Sequence, residues 1–204
     1  CGCTRMVQGG YNVSVFGDPD SADPTSASVT LLDDLLTGSL SNVHPDRYAG
    51  ELGPKSYPLD PHRDACTWGL LDGCIEQGKP VFALCLGFEE LNVYAGGSLD
   101  QMVHEVPGRI DHRSPTSHVP EIKYGAWQSV DVTPGGLLAG ALGSDAPIVI
   151  NSLHLQGGDR VGDGVTVEAT ASDGLVEALS IDRASTFCLG VQWHPEAIPE
   201  DPVS

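Results

Sequence analysis

A cysteine between two small residues is the first candidate for chemistry in this sequence. Cys85 lies in the pentapeptide Ala-Leu-Cys-Leu-Gly of residues 83–87, directly after the apolar run of residues 81–84. Small residues on both sides of a nucleophile let the backbone turn sharply between a buried strand and a helix. Amide groups at the start of that helix favour a thiolate and can bind an oxyanion. The same pentapeptide also suits a cysteine that packs in the core, so a catalytic role for Cys85 needs partner residues.

A histidine with a carboxylate two residues later supplies such partners. His194, Pro195 and Glu196 follow an apolar run, residues 187–193, that predicts a strand. Pro195 stiffens the link, so Glu196 can turn back to the imidazole and fix its tautomer, while the other ring nitrogen faces the thiol. The pattern predicts a Cys-His-carboxylate triad, in which Cys85 is the nucleophile, His194 the general base and Glu196 its orienting group.

The first half of the chain has the alternating strands and helices that would position the cysteine. Apolar runs at residues 11–16, 30–37 and 81–85 predict strands, and residues 63–77 predict a helix that ends before Gly78. The run at residues 81–85 has no polar alternation, which is typical of a central parallel strand covered on both faces. One packed face of the helix is predicted to contain Cys66, Leu70, Leu71, Cys74 and Ile75.

The second half is richer in strands, some of them antiparallel. Asp173-Gly174 predicts a two-residue hairpin between two of these strands. Residues 104–120 predict a surface loop, whose histidines we interpret as solvated or near the substrate rather than as metal ligands, because they lack helical spacing. The predicted strands span residues 129–132, 147–150, 165–170, 175–181 and 187–193.

Composition limits the partners of the protein. Ten Lys and Arg residues against 28 Asp and Glu residues give a net charge of −18 over 204 residues, which argues against nucleic acid and anionic membranes as partners. No apolar run approaches the length of a membrane helix, and no leader pattern opens the sequence, so we expect a cytoplasmic protein. The six cysteines have no zinc-like spacing. We therefore expect neither a metal nor a cofactor.

Four segments, taken together, resemble the γ-glutamyl-γ-aminobutyrate hydrolase family of class I glutamine amidotransferase-like proteins. They occur in the family's order and cover nearly the whole chain. The segments are Leu35-Leu36-Thr37-Gly38 with His44-Pro45-Asp46-Arg47-Tyr48, then Cys85-Leu86-Gly87 with Leu91-Asn92-Val93 and Gly96-Gly97-Ser98-Leu99, then Asn151-Ser152-Leu153-His154 with Gln156, and finally residues 190–196.

The resemblance implies a fold and a reaction. The fold is an α/β sandwich of the flavodoxin-like type, with a mixed central sheet and the nucleophile in a sharp turn after a central parallel strand. The reaction is hydrolysis of a small γ-glutamyl amide through a thioester on Cys85. The resemblance also implies an oxyanion and substrate site that contains Gly38, Ser39, Leu86, Glu89, Asn151, Ser152 and His154.

The sequence departs from the family pattern inside this implied site. Leu86 stands where the family usually has Arg, and Glu89 where it has Gln, so positive charge is lost where a substrate carboxylate is expected. Ser39 replaces a glycine of the early loop, which affects one oxyanion donor, and Gln128 replaces a histidine. These changes leave two alternatives open. One is a binding or regulatory protein on the same scaffold, and the other is a glutaminase subunit that delivers ammonia to a synthase.

Length predicts a single domain over residues 1–204. The resemblance leaves no room for the family's first strand before residues 5–10, and a missing strand would expose apolar surface that invites association. A homo-oligomer is therefore left open.

Overall fold

The computed structural model describes residues 41–197 of the chain. The strands predicted at residues 11–16 and 30–37, the predicted lack of a first strand, and the oxyanion candidates Gly38 and Ser39 lie outside these described residues. Within the described part, no helix is long and apolar enough to cross a membrane.

Twelve helices and strands organise the described part of the chain. The helices are α1 (Pro61–Glu76), α2 (Leu86–Tyr94), α3 (Pro120–Lys123) and α4 (Leu137–Leu142), and short 3-10 turns include Pro45–Arg47 and Pro195–Ala197. The strands are β1 (Val81–Leu84), β2 (Ser98–Asp100), β3 (Gln128–Val132), β4 (Ile148–Ile150), β5 (Gly157–Arg160), β6 (Val165–Ala171), β7 (Val176–Ile181) and β8 (Cys188–Val191).

A six-stranded mixed sheet lies at the centre, in the order β1-β8-β7-β6-β3-β4, and β2 and β5 pair separately. Strand β1 runs parallel to β8, whereas the other pairs of the large sheet are antiparallel. Because parallel neighbours end at the same edge of a sheet, the pairing of β1 with β8 brings the residues that follow both strands together. This pairing sets the position of Cys85 next to the segment that contains His194.

Both faces of the sheet are covered, as the apolar run of β1 predicts. Alternation along β1 sends Val81 and Ala83 to the face covered by α1 and α2, and Leu84 to the opposite face. On the helix-covered face Leu71 and Phe88 are fully buried. Each such side chain contributes about 1.5–3 kcal/mol through burial.

Helix α2 approaches the sheet closely at a glycine. A Cβ atom on Gly190 of β8 would lie 3.3 Å from Leu91 and 3.4 Å from the backbone of Phe88, both in α2. Such contacts are tighter than ordinary van der Waals contacts, so a larger residue at position 190 would push α2 away from β8. The glycine thus lets the helix that begins directly after Cys85 pack onto the strand that leads to His194.

The predicted helix over residues 63–77 exists as α1, but its buried face differs from the prediction. Leu71 and Cys74 are buried, whereas Cys66 is exposed and the buried side of the first turns contains Arg63 and Asp64. Arg63 faces inward because its guanidinium lies 3.1 Å from the fully buried Glu90 of α2. An ion pair between α1 and α2 therefore occupies the position where the hydrophobic pattern predicted an apolar face.

The predicted hairpin also exists, with a longer turn than the predicted two-residue loop. Strands β6 and β7 are antiparallel, and the amide of Ala171 donates to the carbonyl of Leu175 at 2.8 Å, which leaves residues 172–174 in the turn. Gly174 has φ of 82°, a value that suits glycine at the last position of a three-residue hairpin. The turn also fixes the carboxylate of Asp173, which accepts a hydrogen bond from the amide of Leu175 at 3.1 Å.

Candidate active site

Cys85 occupies a strained turn between β1 and α2. Its φ of 50° and ψ of −106° lie in a region that residues with a side chain rarely adopt, at a cost of about 1–3 kcal/mol. The amide of Cys85 donates to the carbonyl of Val191 in β8 at 2.8 Å, so the parallel sheet holds the turn in place. The sequence predicted this sharp turn after a parallel strand, and the geometry confirms it. The turn directs the sulfur away from the strand, with Cys85 itself half-buried.

His194 and Glu196 form the pair that the sequence predicted for them. Nδ1 of His194 lies 2.7 Å from Oε1 of Glu196, on the 3-10 turn Pro195–Ala197. Since a carboxylate only accepts, Nδ1 carries the hydrogen and the other ring nitrogen is available to the cysteine sulfur. Glu196 is 42% exposed at its side chain and His194 only 18%, so the imidazole is the more enclosed member of the pair.

The electrostatics of His194 favour the protonated form of its imidazole. Burial lowers the pKa of His194, but the charge and hydrogen bond of Cys85, together with those of Glu196, raise it well above the usual range. An imidazole whose pKa is raised in this way can take up and hold a proton. His194 therefore has the electrostatics of a general base beside Cys85.

Asn151 holds the backbone of His194. Its Oδ1 accepts from the amide of His194 at 2.8 Å, and its Nδ2 donates to the carbonyl of His194 at 2.8 Å and to that of Tyr124 at 3.2 Å. The side chain of Asn151 is thus committed to positioning His194, which is a more specific role than the pocket-lining role that the resemblance implied. A pocket-lining role for the backbone around Asn151 stays a prediction.

Removing this clamp should affect turnover more than substrate binding. We expect Asn151→Ala to lower kcat by about 10- to 100-fold with little change in KM, because displacement of a catalytic group by an ångström costs a factor of this size. Ser152, which the resemblance also placed in the site, is buried and donates to the carbonyl of His112 at 2.7 Å. Asn92→Ala is the matched control, because Asn92 is also buried and donates to the backbone carbonyls of Ser98 and Arg160 without bonding to His194. Equal losses of kcat in both variants would contradict the positioning role.

Glu89 and Gln192 lie beside the cysteine as a buried hydrogen-bonded pair. Nε2 of Gln192 lies 3.1 Å from Oε1 of Glu89 and 3.9 Å from Sγ of Cys85, within the longer range of hydrogen bonds to sulfur. Glu89 is 3% exposed, and this burial raises its pKa to about 7, although the charge of His154 and the hydrogen bond from Gln192 lower it. Glu89, which stands where the family usually has Gln, therefore places an ionisable carboxyl group beside Gln192, whose side-chain amide contacts Cys85.

The raised pKa of Glu89 predicts a pH-dependent stability. Between its unfolded pKa near 4.5 and its folded value of about 7, the folded state holds a proton that the unfolded state has lost, so this group's contribution to stability falls as pH rises to about 7. Glu89→Gln has no such titration. We therefore expect the free energy of unfolding of wild type to fall by about 2 kcal/mol more than that of Glu89→Gln when the pH is raised from 5.5 to 8.

Urea unfolding of both proteins at the two pH values measures this difference. Glu76→Gln, which removes an exposed carboxyl group of α1, is the control variant. If wild type and Glu89→Gln change stability in parallel between the two pH values, then Glu89 does not titrate in this range.

The remaining predicted site residues have defined places. Leu86 is the first residue of α2, where a helix leaves its amides without intrahelical partners, so the amide of Leu86 stays the predicted oxyanion donor. His154 is buried, and its Nδ1 lies 2.7 Å from the carbonyl of Gln156. Gln156 in turn accepts from the amide of Val43 at 2.9 Å, so this turn is tied to the described start of the chain.

Sequence reasoning gave no role to several polar residues near the site. Gln192 lies within residues 190–196 but stands among apolar neighbours that gave it no sign of a role. Glu177 is a fully buried carboxylate in the mostly apolar strand β7. A charged residue inside an apolar strand was the signal available for Glu177. The expectation of solvated histidines in residues 104–120 is wrong for His112, which is 1% exposed and lies 2.9 Å from Asp173 and 3.0 Å from Glu177.

The chain is similar in sequence to proteins named γ-glutamyl-γ-aminobutyrate hydrolases. The chain is 42% identical to the γ-glutamyl-γ-aminobutyrate hydrolase of Escherichia coli (strain K12), over 95% of this chain and 79% of that protein. It is 41% identical to the protein of the same name from Shigella flexneri, over the same shares of both chains.

A solved structure agrees at the level of the fold. The crystal structure of a glutamine amidotransferase from Thermotoga maritima matches 72% of this chain with a TM-score of 0.50 and 15% identity. This chain covers 53% of that structure's chain. The α/β fold with a mixed central sheet that the sequence predicted is therefore confirmed as that of class I glutamine amidotransferases.

The model of one protein family, peptidase C26, matches residues 5–196, which include the described part of the chain up to Glu196 and the segment before it. The cysteine in its strained turn, the histidine–glutamate pair and this match together lead to one assignment. The chain belongs to the peptidase C26 family.

Proposed function

We propose that this protein hydrolyses the γ-glutamyl amide bond of γ-glutamyl-γ-aminobutyrate or a related γ-glutamyl amine, and releases glutamate and the amine. One observation carries the proposal: a cysteine in a nucleophile turn is paired with a histidine–glutamate couple in a chain 42% identical to enzymes named for that reaction. The residue roles below are part of the proposal.

The first step is acylation of the cysteine. The thiolate of Cys85 attacks the γ-carbonyl carbon of the substrate, and a tetrahedral intermediate forms. His194 carries the proton taken from the thiol and gives it to the leaving amine as the C–N bond breaks, so a γ-glutamyl thioester and a free amine result. Glu196, hydrogen-bonded to Nδ1, keeps the ring in the tautomer that this transfer needs.

The developing oxyanion needs hydrogen-bond donors. The amide of Leu86 is suited to this role because it is the first amide of α2, directly after the nucleophile. A second donor from Gly38 or Ser39 is part of the proposal, although both residues lie outside the described ones. Each such donor contributes about 10²- to 10³-fold in rate, so Ser39 in place of glycine is a sensitive position.

Water completes the reaction by deacylation. His194 takes a proton from the water molecule, the hydroxide adds to the thioester, and the thiolate of Cys85 leaves as glutamate is released. The hydrogen bonds of Asn151 to the backbone of His194 keep the imidazole in one place through both steps. Gln192, whose amide reaches Sγ, remains a neighbour of the sulfur in its anionic and acylated forms.

A panel of amides tests the proposed function. It contains γ-glutamyl-γ-aminobutyrate, other γ-glutamyl amines, glutamine, and the matched α-glutamyl and β-aspartyl amides, and both released glutamate (or aspartate) and released amine are measured. We expect equal amounts of glutamate and amine from γ-glutamyl amines, with no added partner protein. A γ-glutamyl amine with a capped α-carboxylate belongs in the panel, because Leu86 cannot pair with that group as a guanidinium would.

The alternative functions predict other outcomes of the same panel. Absence of turnover on every γ-glutamyl amide, in protein whose circular dichroism shows it folded, would contradict the proposal and favour a binding or regulatory protein. Turnover restricted to glutamine and strongly increased by a synthase would favour an ammonia-delivering subunit.

Three further expectations stay predictions: cytoplasmic localisation, a single domain over residues 1–204, and the possibility of a homo-oligomer. Sedimentation measurements test the last of them.

A further inference from the structure

Three buried side chains from separate segments of the chain lie close together near Gln192. His112 comes from the loop before α3, His154 from the turn after β4 and Glu177 from β7, and they are 1%, 4% and 0% exposed. One candidate ligand atom from each lies within 4.8 Å of the others. The backbone carbonyl of Glu177 accepts from the amide of Gln192 at 2.7 Å, so this cluster is attached to the strand end that leads to His194.

Hydrogen bonds decide which ring nitrogens carry hydrogen. Nδ1 of His154 lies 2.7 Å from the carbonyl of Gln156, which can only accept, so Nδ1 donates and Nε2 keeps a lone pair when the ring is neutral. Nε2 of His112 lies 2.9 Å from Oδ2 of Asp173, a carboxylate oxygen that also accepts from the amide of Ile110. This nitrogen therefore donates, and Nδ1 of His112 is the atom that faces the cluster.

The two inward nitrogens both face one carboxylate oxygen. Oε1 of Glu177 lies 3.0 Å from Nδ1 of His112 and 3.7 Å from Nε2 of His154. Neither contact has hydrogen-bond geometry: the closer one is out of line with a ring N–H, and both nitrogens are buried polar atoms without a hydrogen-bond partner among the described residues. A buried acceptor left in this way costs about 1–3 kcal/mol.

Two more buried acceptor atoms of the same residues and their neighbours have no donor within the described residues 41–197. Oε2 of Glu177 and Oε1 of Gln128 are also buried without a hydrogen-bond partner in the described part of the chain. Gln128 donates its Nε2 to Oε1 of Glu177 at 2.7 Å, which orients that carboxylate. A buried carboxylate that faces two imidazole nitrogens, as Glu177 does, is stabilised by a cation, which is either a proton shared by the histidines or a metal ion.

Two of the three separations are close to those of metal ligands. Nitrogen and oxygen ligands at about 2.0–2.1 Å from a tetrahedral zinc ion lie roughly 3.3 Å from each other, and the two observed separations, 3.0 and 3.7 Å, lie on either side of that value. Metal-bound histidines also donate their second ring N–H to a carboxylate or carbonyl group. Asp173 and the carbonyl of Gln156 are such partners here.

We propose that His112, His154 and Glu177 bind a divalent transition-metal ion, zinc by their ligand types, at a buried site separate from the catalytic triad. Two imidazoles and a carboxylate are a ligand set that zinc accepts. The ion joins the loop before α3, the turn after β4 and strand β7. That turn begins with Asn151, which bonds to the backbone of His194, so the metal stabilises the support of the catalytic histidine.

Metal analysis of refolded protein tests the site. Cys85→Ala is used throughout, because its thiolate would itself bind zinc. The variant is unfolded with a chelator, refolded with Zn²⁺ or Co²⁺, and freed of loose metal by gel filtration. We expect about one metal ion per chain, a higher Tm than that of protein refolded without metal, and visible absorption bands of protein-bound Co²⁺.

Further variants locate the ion. His154→Gln and Glu177→Gln, each in the Cys85→Ala background, are expected to lose the stoichiometric metal and the Tm increase. His118→Ala, which removes an exposed histidine close to His112 in the sequence, is expected to keep both. Metal retained in both His154→Gln and Glu177→Gln would place the ion elsewhere and overturn the proposal.

The Cys85→Ala variant alone decides the case if the two cluster variants do not fold. Less than about a tenth of an equivalent of zinc in folded protein refolded with excess Zn²⁺, together with no cobalt bands, would show that a proton occupies the cluster. That result would overturn the metal site and leave the proposed hydrolase function untouched, because the triad does not depend on the ion for its chemistry.

Discussion

Cys85→Ala is expected to remove γ-glutamyl hydrolysis, with a loss in kcat of at least about 10⁴-fold. The reason is chemical: no other group in the described site replaces the sulfur as the atom that forms the thioester, and Gln192 and Glu89 beside it are poor nucleophiles at carbonyl carbon. The turn should survive the substitution. Alanine keeps the Cβ atom and adds no atoms, and the amide of residue 85 can still donate to the carbonyl of Val191. Glutamate release at saturating substrate measures the effect.

Cys66→Ala is the matched control for this experiment. Cys66 is the exposed cysteine of α1, whereas Cys74 and Cys188 are buried in the core, where substitution would also change stability. We expect Cys66→Ala to retain full activity. Activity that survives in Cys85→Ala, or that is lost equally in both variants, would contradict the assignment of the nucleophile.

His194→Gln is expected to lower kcat by about 10⁴-fold, the upper range for loss of a general acid–base group. Glutamine is close in size and can still donate and accept hydrogen bonds, but it cannot carry the proton from the thiol to the leaving amine. The effect should be smaller on substrates whose leaving group needs less protonation, such as γ-glutamyl p-nitroanilide. A panel of leaving groups with different basicity measures this contrast.

Glu196→Gln separates the positioning of the histidine from its proton transfer. Glutamine at this position can still accept from Nδ1 of His194, and the glutamate side chain is 42% exposed, so water screens its charge. We expect a smaller loss than for His194→Gln. If Glu196→Gln were the more damaging change, the order of roles within the triad would be wrong.

The turn at Cys85 and the hydrogen-bonded pair of His194 and Glu196 were predictable from sequence because both depend on short-range spacing. Cys85 follows a continuous apolar strand and precedes a helix, and a single residue, Pro195, separates His194 from Glu196. Local backbone geometry then decides where the side chains go, and β1 and β8 need only be neighbours in the sheet. The family resemblance added the order of segments from which the fold was expected.

The buried polar residues were not predictable because their partners are distant in sequence. Arg63 lies on the inner face of α1 on account of Glu90, 27 residues later, and nothing in the helical pattern of α1 reveals that carboxylate. His112 is buried by Asp173 and Glu177, more than 60 residues away. A pattern of hydrophobic spacing identifies apolar faces, and it has no means of pairing charges across a fold.

Turn length was the other feature that the sequence left imprecise. Asp173-Gly174 suits a two-residue turn, but Ser172 also joins the turn, because the side chain of Asp173 bonds to the amide of Leu175 and to its neighbours in the loop of residues 104–120. Contacts made after the strands have paired thus select among turns that the same dipeptide permits. The dipeptide located the hairpin, and tertiary contacts set its geometry.

Partition of the acyl-enzyme between water and hydroxylamine is the most direct test of the central claim, a γ-glutamyl thioester on Cys85. The protein is given γ-glutamyl substrates with different amines in the presence of hydroxylamine, and the ratio of γ-glutamyl hydroxamate to glutamate is measured. A common thioester predicts the same ratio whichever amine has left. A ratio that varies with the leaving amine, or glutamate release with no hydroxamate at any hydroxylamine concentration, would contradict the thioester mechanism.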